Sequence, residues 1–98
     1  MFPLEWSPHA LADLGRLHAF LARNSRRAAD RAVVTIRSAI ELLREFPEAG
    51  RHADDLSLDR RELVVPFGQS GYVVAYAIRS ADETIEVIDI RHQSEAGY

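Results

Sequence analysis

The sequence predicts an α+β domain in which an N-terminal helix hairpin packs on a mainly antiparallel four-stranded sheet. Apolar residues recur at three- and four-residue steps as far as Phe46, and from Arg60 onward short runs rich in β-branched residues alternate with turns. A third observation is size, since 98 residues that are 47% hydrophobic can close one modest core. Residues 1–98 are therefore expected to form a single domain.

The chain is expected to open with an edge strand over residues 2–6, because Pro3 cannot donate to a ladder. Ser7 and Pro8 then predict a helix start, with the serine as cap and the proline at the first helical position. The helix should end near Asn24. Its apolar stripe consists of four leucines: Leu11, Leu14, Leu17 and Leu21.

A second helix is predicted from Ser25, and Pro47 should end it with Phe46 as its last or next-to-last residue. Its apolar face consists of Ala29, Ala32, Val33, Ile36, Ile40 and Leu43. Its arginines, at positions 26, 27, 31, 37 and 44, should lie outside that face. The short junction implies an antiparallel hairpin, and its two apolar stripes require a sheet beneath them.

After a loop over residues 47–59, the pattern predicts strands at 62–65, 72–78 and 84–90, joined as an antiparallel meander. The middle strand is apolar on both sides, with Tyr72, Val74, Tyr76 and Ile78 on one face and Val73, Ala75 and Ala77 on the other. One face can take the helix hairpin. The other is expected to be covered by a second protein chain.

The third strand of the meander changes parity, since Ile85 and Val87 share one face while Ile88 and Ile90 share the opposite one. Either a β-bulge intervenes or both faces of this strand are covered. Both interpretations remain open at the level of sequence. Residues 91–98 are expected to form a polar tail.

Composition excludes several classes of function. There is no cysteine, and all 12 basic residues are arginines, so thiolate metal sites and catalytic lysines are ruled out. The net charge of −3 divides into +2 over residues 1–46 and −5 over residues 47–98, so direct nucleic-acid binding is not expected. Without a membrane-length apolar run or a basic leader, the protein is expected in the cytoplasm, with no cofactor or metal.

Several stretches resemble the ParE branch of the RelE/ParE superfamily of toxins, and together they span nearly the whole chain. Near the start they are Trp6-Ser7-Pro8 with Ala10, Asp13 and Leu14, then Ile40–Leu43 running into Phe46–Arg51. Further on they are Arg61–Val65, Gly71–Tyr76 and Arg91–Tyr98.

The resemblance implies a toxin of a type II toxin–antitoxin pair, neutralised in a hetero-oligomer by a cognate antitoxin, ParD-like or another small DNA-binding protein. In the ParE branch the usual target is DNA gyrase, and in the RelE branch it is messenger RNA on the ribosome. A third possibility is a non-toxic relative that only binds its antitoxin. Because the branches share a fold, the fold alone does not decide the activity.

The chain departs from the RelE ribonuclease pattern. Val73 follows Tyr72 where that pattern would offer an arginine, and lysines are absent. A related branch of ribosome-dependent ribonucleases is an alternative, because it uses glutamate, arginine, histidine and a C-terminal tyrosine as proton-transfer and phosphate-binding groups. The residues that match this set are Arg61, Arg91, His92, Glu95 and Tyr98.

Action by protein binding is therefore preferred to enzymatic action. The functional surface is expected to include the tail from Arg91 to Tyr98 and the strand residue Arg61. Tyr72 and Tyr76 are further candidates for partner contact, because tyrosine combines apolar area with a polar tip.

Overall fold

The computed structural model describes residues 1–53 and 59–95, and it shows two helices packed on a five-stranded sheet. The elements, in chain order, are β1 (Leu4–Trp6), α1 (Pro8–Ala22), α2 (Arg26–Leu42), β2 (Arg51–His52), β3 (Arg60–Phe67), β4 (Ser70–Arg79) and β5 (Thr84–His92). The strand order is β1-β5-β4-β3-β2, with β1 parallel to β5 and every other pair antiparallel. The predicted α+β class and mainly antiparallel sheet are confirmed.

The sheet has one strand more than the four that were predicted. The extra strand is β2, whose Arg51 pairs with Glu62 and whose His52 pairs with Arg61. Both residues of β2 are exposed and polar, so no alternation of apolar residues marks them as a strand. Tertiary pairing with β3 creates this element within what the sequence presents as a loop.

Both helices begin at the predicted serine caps, where the hydroxyl of Ser7 accepts from the Ala10 amide at 2.9 Å and that of Ser25 accepts from the Ala28 amide at 3.1 Å. The predicted end of the second helix near Phe46 was wrong, because α2 ends at Leu42. Beyond that point the chain tightens into i→i−3 turns, such as the bond from Arg44 N–H to the Glu41 carbonyl at 3.2 Å.

The buried face of α2 is the predicted one, whereas that of α1 is narrower than the leucine stripe suggested. Leu14 and Leu17 are buried against the sheet, but Leu11 is 56% exposed. Ala10 and Asp13 are buried instead, on the side of α1 that faces β5.

A β-bulge accounts for the change of parity in β5. Val87 pairs with Tyr76 and Asp89 pairs with Ala75, so Ile88 is an extra residue without a partner on β4. The bulge brings Ile85, Val87 and Ile90 to the same side of the sheet, and all three are fully buried. Of the two alternatives left open by the sequence, the bulge is therefore correct.

Two polar side chains, those of the N-cap Ser7 and of Asp13 in α1, bond backbone groups of β5 at and next to the bulge. The Ser7 hydroxyl donates to the Ile88 carbonyl at 2.7 Å, and a carboxylate oxygen of Asp13 accepts from the Ile90 N–H at 2.9 Å. Asp13 is itself buried, so this bond joins α1 to β5 within the core.

The expectation that the far face of the middle strand needs a second chain was wrong. Val73 is 0% exposed and Ala75 5%, although α1 and α2 both pack on the opposite face of the sheet. The reason is that β4 carries small side chains there, flanked in register by Glu62, Asp89 and Arg91 of the neighbouring strands. Arg91 of β5 reaches Glu62 of β3 across β4 at 3.7 Å, so long charged side chains cover this face.

Candidate functional site

The structure distributes the predicted site residues over three places. In the first, Arg61 and Tyr76 hold the loop that follows α2. The Tyr76 hydroxyl donates to the Pro47 carbonyl and accepts from the Gly50 N–H, each at 2.8 Å, and a guanidinium nitrogen of Arg61 donates to the Gly50 carbonyl at 2.8 Å. Tyr76 is 0% exposed, so it offers no surface to a partner in this structure.

The close approach of this loop explains why a glycine occupies position 50. A Cβ added to Gly50 would lie 2.7 Å from the Tyr76 hydroxyl and 2.8 Å from the Glu62 carbonyl, which is closer than real side chains come. Burial raises the pKa of Tyr76, so its hydroxyl remains neutral and able to donate. Arg61 and Tyr76 thus act on the backbone of their own chain.

In the second place, Arg91 lies on the far face of the sheet. Its Nε is 3.5 Å from an Asp89 carboxylate oxygen, and its Nη2 is 3.7 Å from Glu62. His92, the next residue in the strand, points to the opposite face, because successive strand side chains alternate. Arg91 and His92 therefore do not converge on one site.

The third place is a cavity between α1 and the end of β5, with a volume of about 520 Å³, which we call the tail cavity. Its lining consists of Arg16, Leu17, Phe20, Leu21, Tyr72, His92, Ser94 and Glu95. Tyr72 is nearly buried at its floor, and the ring of Phe20 stands at its rim with 61% of its surface exposed. The cavity brings together three predicted residues: Tyr72, His92 and Glu95.

An ion pair anchors the tail to α1 beside this cavity. The Arg16 guanidinium lies 2.7 Å from one Glu95 carboxylate oxygen, and the other oxygen accepts from the His92 backbone N–H at 2.9 Å. This backbone hydrogen bond, together with Arg16, lowers the pKa of Glu95, and Glu95 in turn raises the pKa of Arg16. The carboxylate is therefore ionised and held in place at neutral pH.

Both ring nitrogens of His92 are engaged. Nδ1 accepts from the Ser94 backbone N–H at 3.2 Å and lies 2.7 Å from the Ser94 hydroxyl, while Nε2 lies 2.8 Å from the Ser70 hydroxyl. Because an amide N–H can only donate, we assign the neutral tautomer with the hydrogen on Nε2. Proton exchange with a bound substrate would require one of these bonds to break.

Tyr72 lines the tail cavity from below and is 2% exposed. Its ring packs edge-on against His92 with centroids 5.5 Å apart and tilts against Phe67 at 6.1 Å. Burial and the charge of Glu95 both raise the pKa of Tyr72, so the hydroxyl is a neutral donor. Within residues 1–53 and 59–95 that hydroxyl has no hydrogen-bond partner.

The ribonuclease set is thus only partly assembled. His92 and Glu95 meet, whereas Arg61 and Arg91 lie elsewhere, and Tyr98 lies outside the described residues. Sequence reasoning missed Arg16, the partner of Glu95. Nothing in the local pattern links two residues that are 79 positions apart.

A second surface feature lies between α2 and β3, and we call it the α2–β3 groove. It consists of two adjoining cavities of about 550 and 350 Å³ that share Thr35. Three large hydrophobic side chains on the α2 side are strongly exposed, namely Val34, Leu42 and Phe46 at 64%, 60% and 59%. Exposed apolar residues gathered in this way mark an interaction surface.

Over residues 1–53 and 59–95, no group of three or more histidine, aspartate or glutamate side chains could hold a metal ion. In the same part of the chain, neither helix has the length and apolar character needed to cross a membrane.

Comparison with known proteins places these features in a family. Residues 4–97 match the family described as "ParE toxin of type II toxin-antitoxin system, parDE". Toxin RelE3 of Caulobacter vibrioides is 37% identical over 97% of this chain and 98% of its own length. Toxin RelE2 of the same organism is 35% identical over 94% of this chain and 96% of its own.

Two solved structures share the fold at low identity. The chromosomal ParDE system from P. aeruginosa has a TM-score of 0.74 and 18% identity, covering 94% of this chain and 96% of that one. The toxin–antitoxin complex RelBE2 from Mycobacterium tuberculosis has a TM-score of 0.62 and 16% identity, covering 93% and 96%.

Proposed function

The chain belongs to the ParE toxin family of type II toxin–antitoxin systems, and we propose that it inhibits DNA gyrase by binding it. We further propose that a cognate, ParD-like antitoxin neutralises it in a hetero-oligomer in the cytoplasm. The two solved structures of similar fold are named as toxin–antitoxin systems, which supports an antitoxin partner. Any chain that binds only the folded toxin also stabilises it.

The observation that carries the choice of binding over RNA cleavage is the state of the candidate catalytic groups. Arg61 is committed to loop carbonyls, Arg91 to Glu62 and Asp89, and both nitrogens of His92 to serines. Cleavage would need a base, a phosphate-binding cation and an acid around one phosphate. The dispersed arrangement supports a protein-binding toxin.

The tail cavity is the proposed contact surface for gyrase. It offers an exposed aromatic ring, Phe20, beside the neutral hydroxyl donor of Tyr72. Exposed aromatic side chains that a partner can bury are typical of the residues that dominate protein–protein affinity. Arg91 remains a proposed peripheral contact, whereas Arg61 and Tyr76 contribute by holding the loop after α2.

The test is inhibition of gyrase-catalysed plasmid supercoiling by the purified toxin, with two matched phenylalanine variants. Phe20 and Phe46 are exposed to nearly the same extent, 61% and 59%, but lie on different surfaces. Phe20→Ala should raise the concentration needed for half inhibition roughly 30-fold, which corresponds to a hot spot of about 2 kcal/mol. Phe46→Ala should leave it unchanged.

Two results would count against this proposal in different ways. If both variants inhibit as well as the wild-type toxin, the tail cavity does not contact gyrase. If the wild-type toxin leaves supercoiling untouched but cleaves ribosome-bound messenger RNA, the ribonuclease alternative replaces gyrase inhibition.

A further inference from the structure

Positive charge is concentrated on the helix hairpin. Between Asp13 and Glu41 the sequence carries one acidic residue, Asp30, and six arginines, at positions 16, 23, 26, 27, 31 and 37. That segment therefore has a formal charge of +5, although the whole chain carries −3. The hairpin is a strongly basic region of an otherwise acidic protein.

Three of these arginines lie at the tip of the hairpin, and we call them the arginine tip: Arg23, Arg26 and Arg27. Arg23 is the C-cap of α1, and Arg26 and Arg27 are the first two residues of α2. Four peptide units span at most about 14 Å, so the three Cα atoms lie within that distance of one another. All three residues are exposed, and among residues 1–53 and 59–95 none of them forms an ion pair.

The acidic residue nearest in sequence does not neutralise the arginine tip. Asp30 follows Arg26 and Arg27 by four and three positions, which is the spacing at which ion pairs form along a helix. Its carboxylate instead lies 2.8 Å from Nε2 of His18 in α1. The charge of the tip is therefore left unbalanced by its helical neighbours.

Arg26 and Arg27 also stand where positive charge disfavours a helix. The first turn of α2 contains no acidic residue, and the macrodipole makes this end of the helix positive. Two cations at this end consequently cost stability. Residues that break a local rule without a compensating contact are typical of functional positions. An anionic partner would supply the missing compensation.

The arginine tip borders the rim of the tail cavity. The guanidinium carbon of Arg23 lies 5.6 Å from the centroid of the Phe20 ring. Phe20 and Arg16 both line the cavity. An exposed aromatic side chain beside charged residues matches the usual anatomy of a protein interface, in which a polar rim surrounds the apolar anchor.

We propose that the arginine tip binds an acidic surface of gyrase beside the site that receives Phe20, and that it speeds association. The inference rests on the proposed inhibition of gyrase and adds the charge of the surface that the toxin recognises. Charges at the rim of an interface act mainly on the association rate and its salt dependence. Phe20 favours a protein surface over a duplex backbone, because phosphates offer nothing apolar to bury it.

The main test is the kinetics of toxin binding to immobilised gyrase, measured by biolayer interferometry at low and high salt. The double variant Arg26→Gln/Arg27→Gln removes two charges with a residue of similar helix propensity. At ~0.05 M salt its association rate constant should be at least about fivefold lower than that of wild type, with the dissociation rate constant changed less than about twofold. At ~0.5 M salt the two association rates should agree within about twofold, because salt screens the steering.

Arg26→Gln and Arg37→Gln form a matched pair of single variants. Each removes one exposed charge from α2, so the net charge of the protein changes equally. The two positions are about 16 Å apart along the helix, and Arg37 lies over the ring of Trp6, 5.9 Å from its centroid. At ~0.05 M salt Arg26→Gln should slow association at least about twofold, whereas Arg37→Gln should not.

Thermal unfolding distinguishes a partner-binding role from a structural one. The double variant Arg26→Gln/Arg27→Gln relieves repulsion from the helix dipole, so its melting temperature should rise by roughly 2–5 °C. A slower association in a more stable protein cannot come from unfolding. A lower melting temperature would show that these arginines serve the fold, and the argument from their position would fail.

The remaining outcomes separate the inference from the function on which it rests. If wild type and the double variant bind gyrase at equal rates at low salt, the arginine tip does not face gyrase, although gyrase inhibition stands. If a labelled single-stranded RNA binds wild type at physiological salt and the double variant loses that binding, the tip serves nucleic acid and the inference is overturned. If wild type does not bind gyrase at all, the proposed function fails and the inference fails with it.

Discussion

Replacing Asp13 with alanine tests the connection between α1 and the bulge in β5. The carboxylate accepts the Ile90 N–H at 2.9 Å in a buried site, and that N–H faces away from β4, beyond the point where β1 stops pairing with β5. Asp13→Ala would strand a buried donor and remove a charged acceptor, which costs about 2–3 kcal/mol of unfolding free energy. Asp13→Asn keeps an acceptor oxygen and should cost about 1 kcal/mol.

Urea unfolding followed by circular dichroism measures these differences, and the alanine variant should also melt roughly 10–20 °C lower. Asp82→Ala is the control, because Asp82 is an exposed carboxylate that also pairs with an arginine, Arg79 at 3.2 Å. Its loss should cost less than about 0.5 kcal/mol. If Asp13→Ala proves no more destabilising than Asp82→Ala, the buried bond does not hold α1 on β5 and the reasoning is refuted.

Three other predictions follow from local geometry. Gly50→Ala should lower the free energy of unfolding by about 1–3 kcal/mol, because the added methyl group collides with Tyr76. Gly15→Ala has open space around it on α1 and should raise the free energy of unfolding by about 0.5–1 kcal/mol. Equal melting temperatures for the two variants would contradict this prediction. Tyr76→Phe loses two hydrogen bonds to the loop after α2, so the free energy of unfolding measured in urea should fall by about 1–3 kcal/mol. An unchanged urea midpoint would show that Tyr76 does not hold this loop. Because the pKa of Glu95 lies below its ordinary 4.5, the ion pair with Arg16 should be fully formed above pH 4.5 and lost as the pH falls through the lowered pKa. Amide hydrogen exchange of the tail, measured across this pH range, tests the prediction. A tail that loosens near neutral pH would contradict it.

Local signals were enough to predict the helices and most of the sheet. Ser7 and Ser25 act as the predicted caps because N-cap hydrogen bonding involves only a few consecutive residues. The change of parity in β5 correctly raised the possibility of a bulge. The two-residue strand β2 and the exposure of Leu11 depend on tertiary neighbours, which no periodicity reports.

The far face of β4 shows a limit of arguments from periodicity. Val73 and Ala75 are apolar as the pattern says, but their cover comes from charged side chains of β3 and β5. Pattern analysis counts Glu62 and Arg91 as polar residues. It therefore overlooks the apolar carbon chains of these two side chains, which cover the small residues beside them. The surface that is apolar and exposed lies instead along α2.

The candidate site was predictable as a set of residues but not as a geometry. Tyr72, His92 and Glu95 meet in the tail cavity, while Arg61 and Arg91 serve other contacts. The difference arises because strand parity places Arg91 and His92 on opposite faces and because the loop carbonyls near Gly50 occupy Arg61.

The most direct measurement of the central claim is the order in which DNA and protein synthesis stop after the toxin is induced without its antitoxin. Pulse labelling with thymidine and methionine in parallel cultures reports both, and Phe20→Ala serves as the variant with a damaged target surface. Gyrase inhibition through the tail cavity predicts that thymidine incorporation falls first, and that Phe20→Ala delays this fall while still binding the antitoxin. A fall of methionine incorporation first, with ribosome-bound messages shortened, would contradict the account.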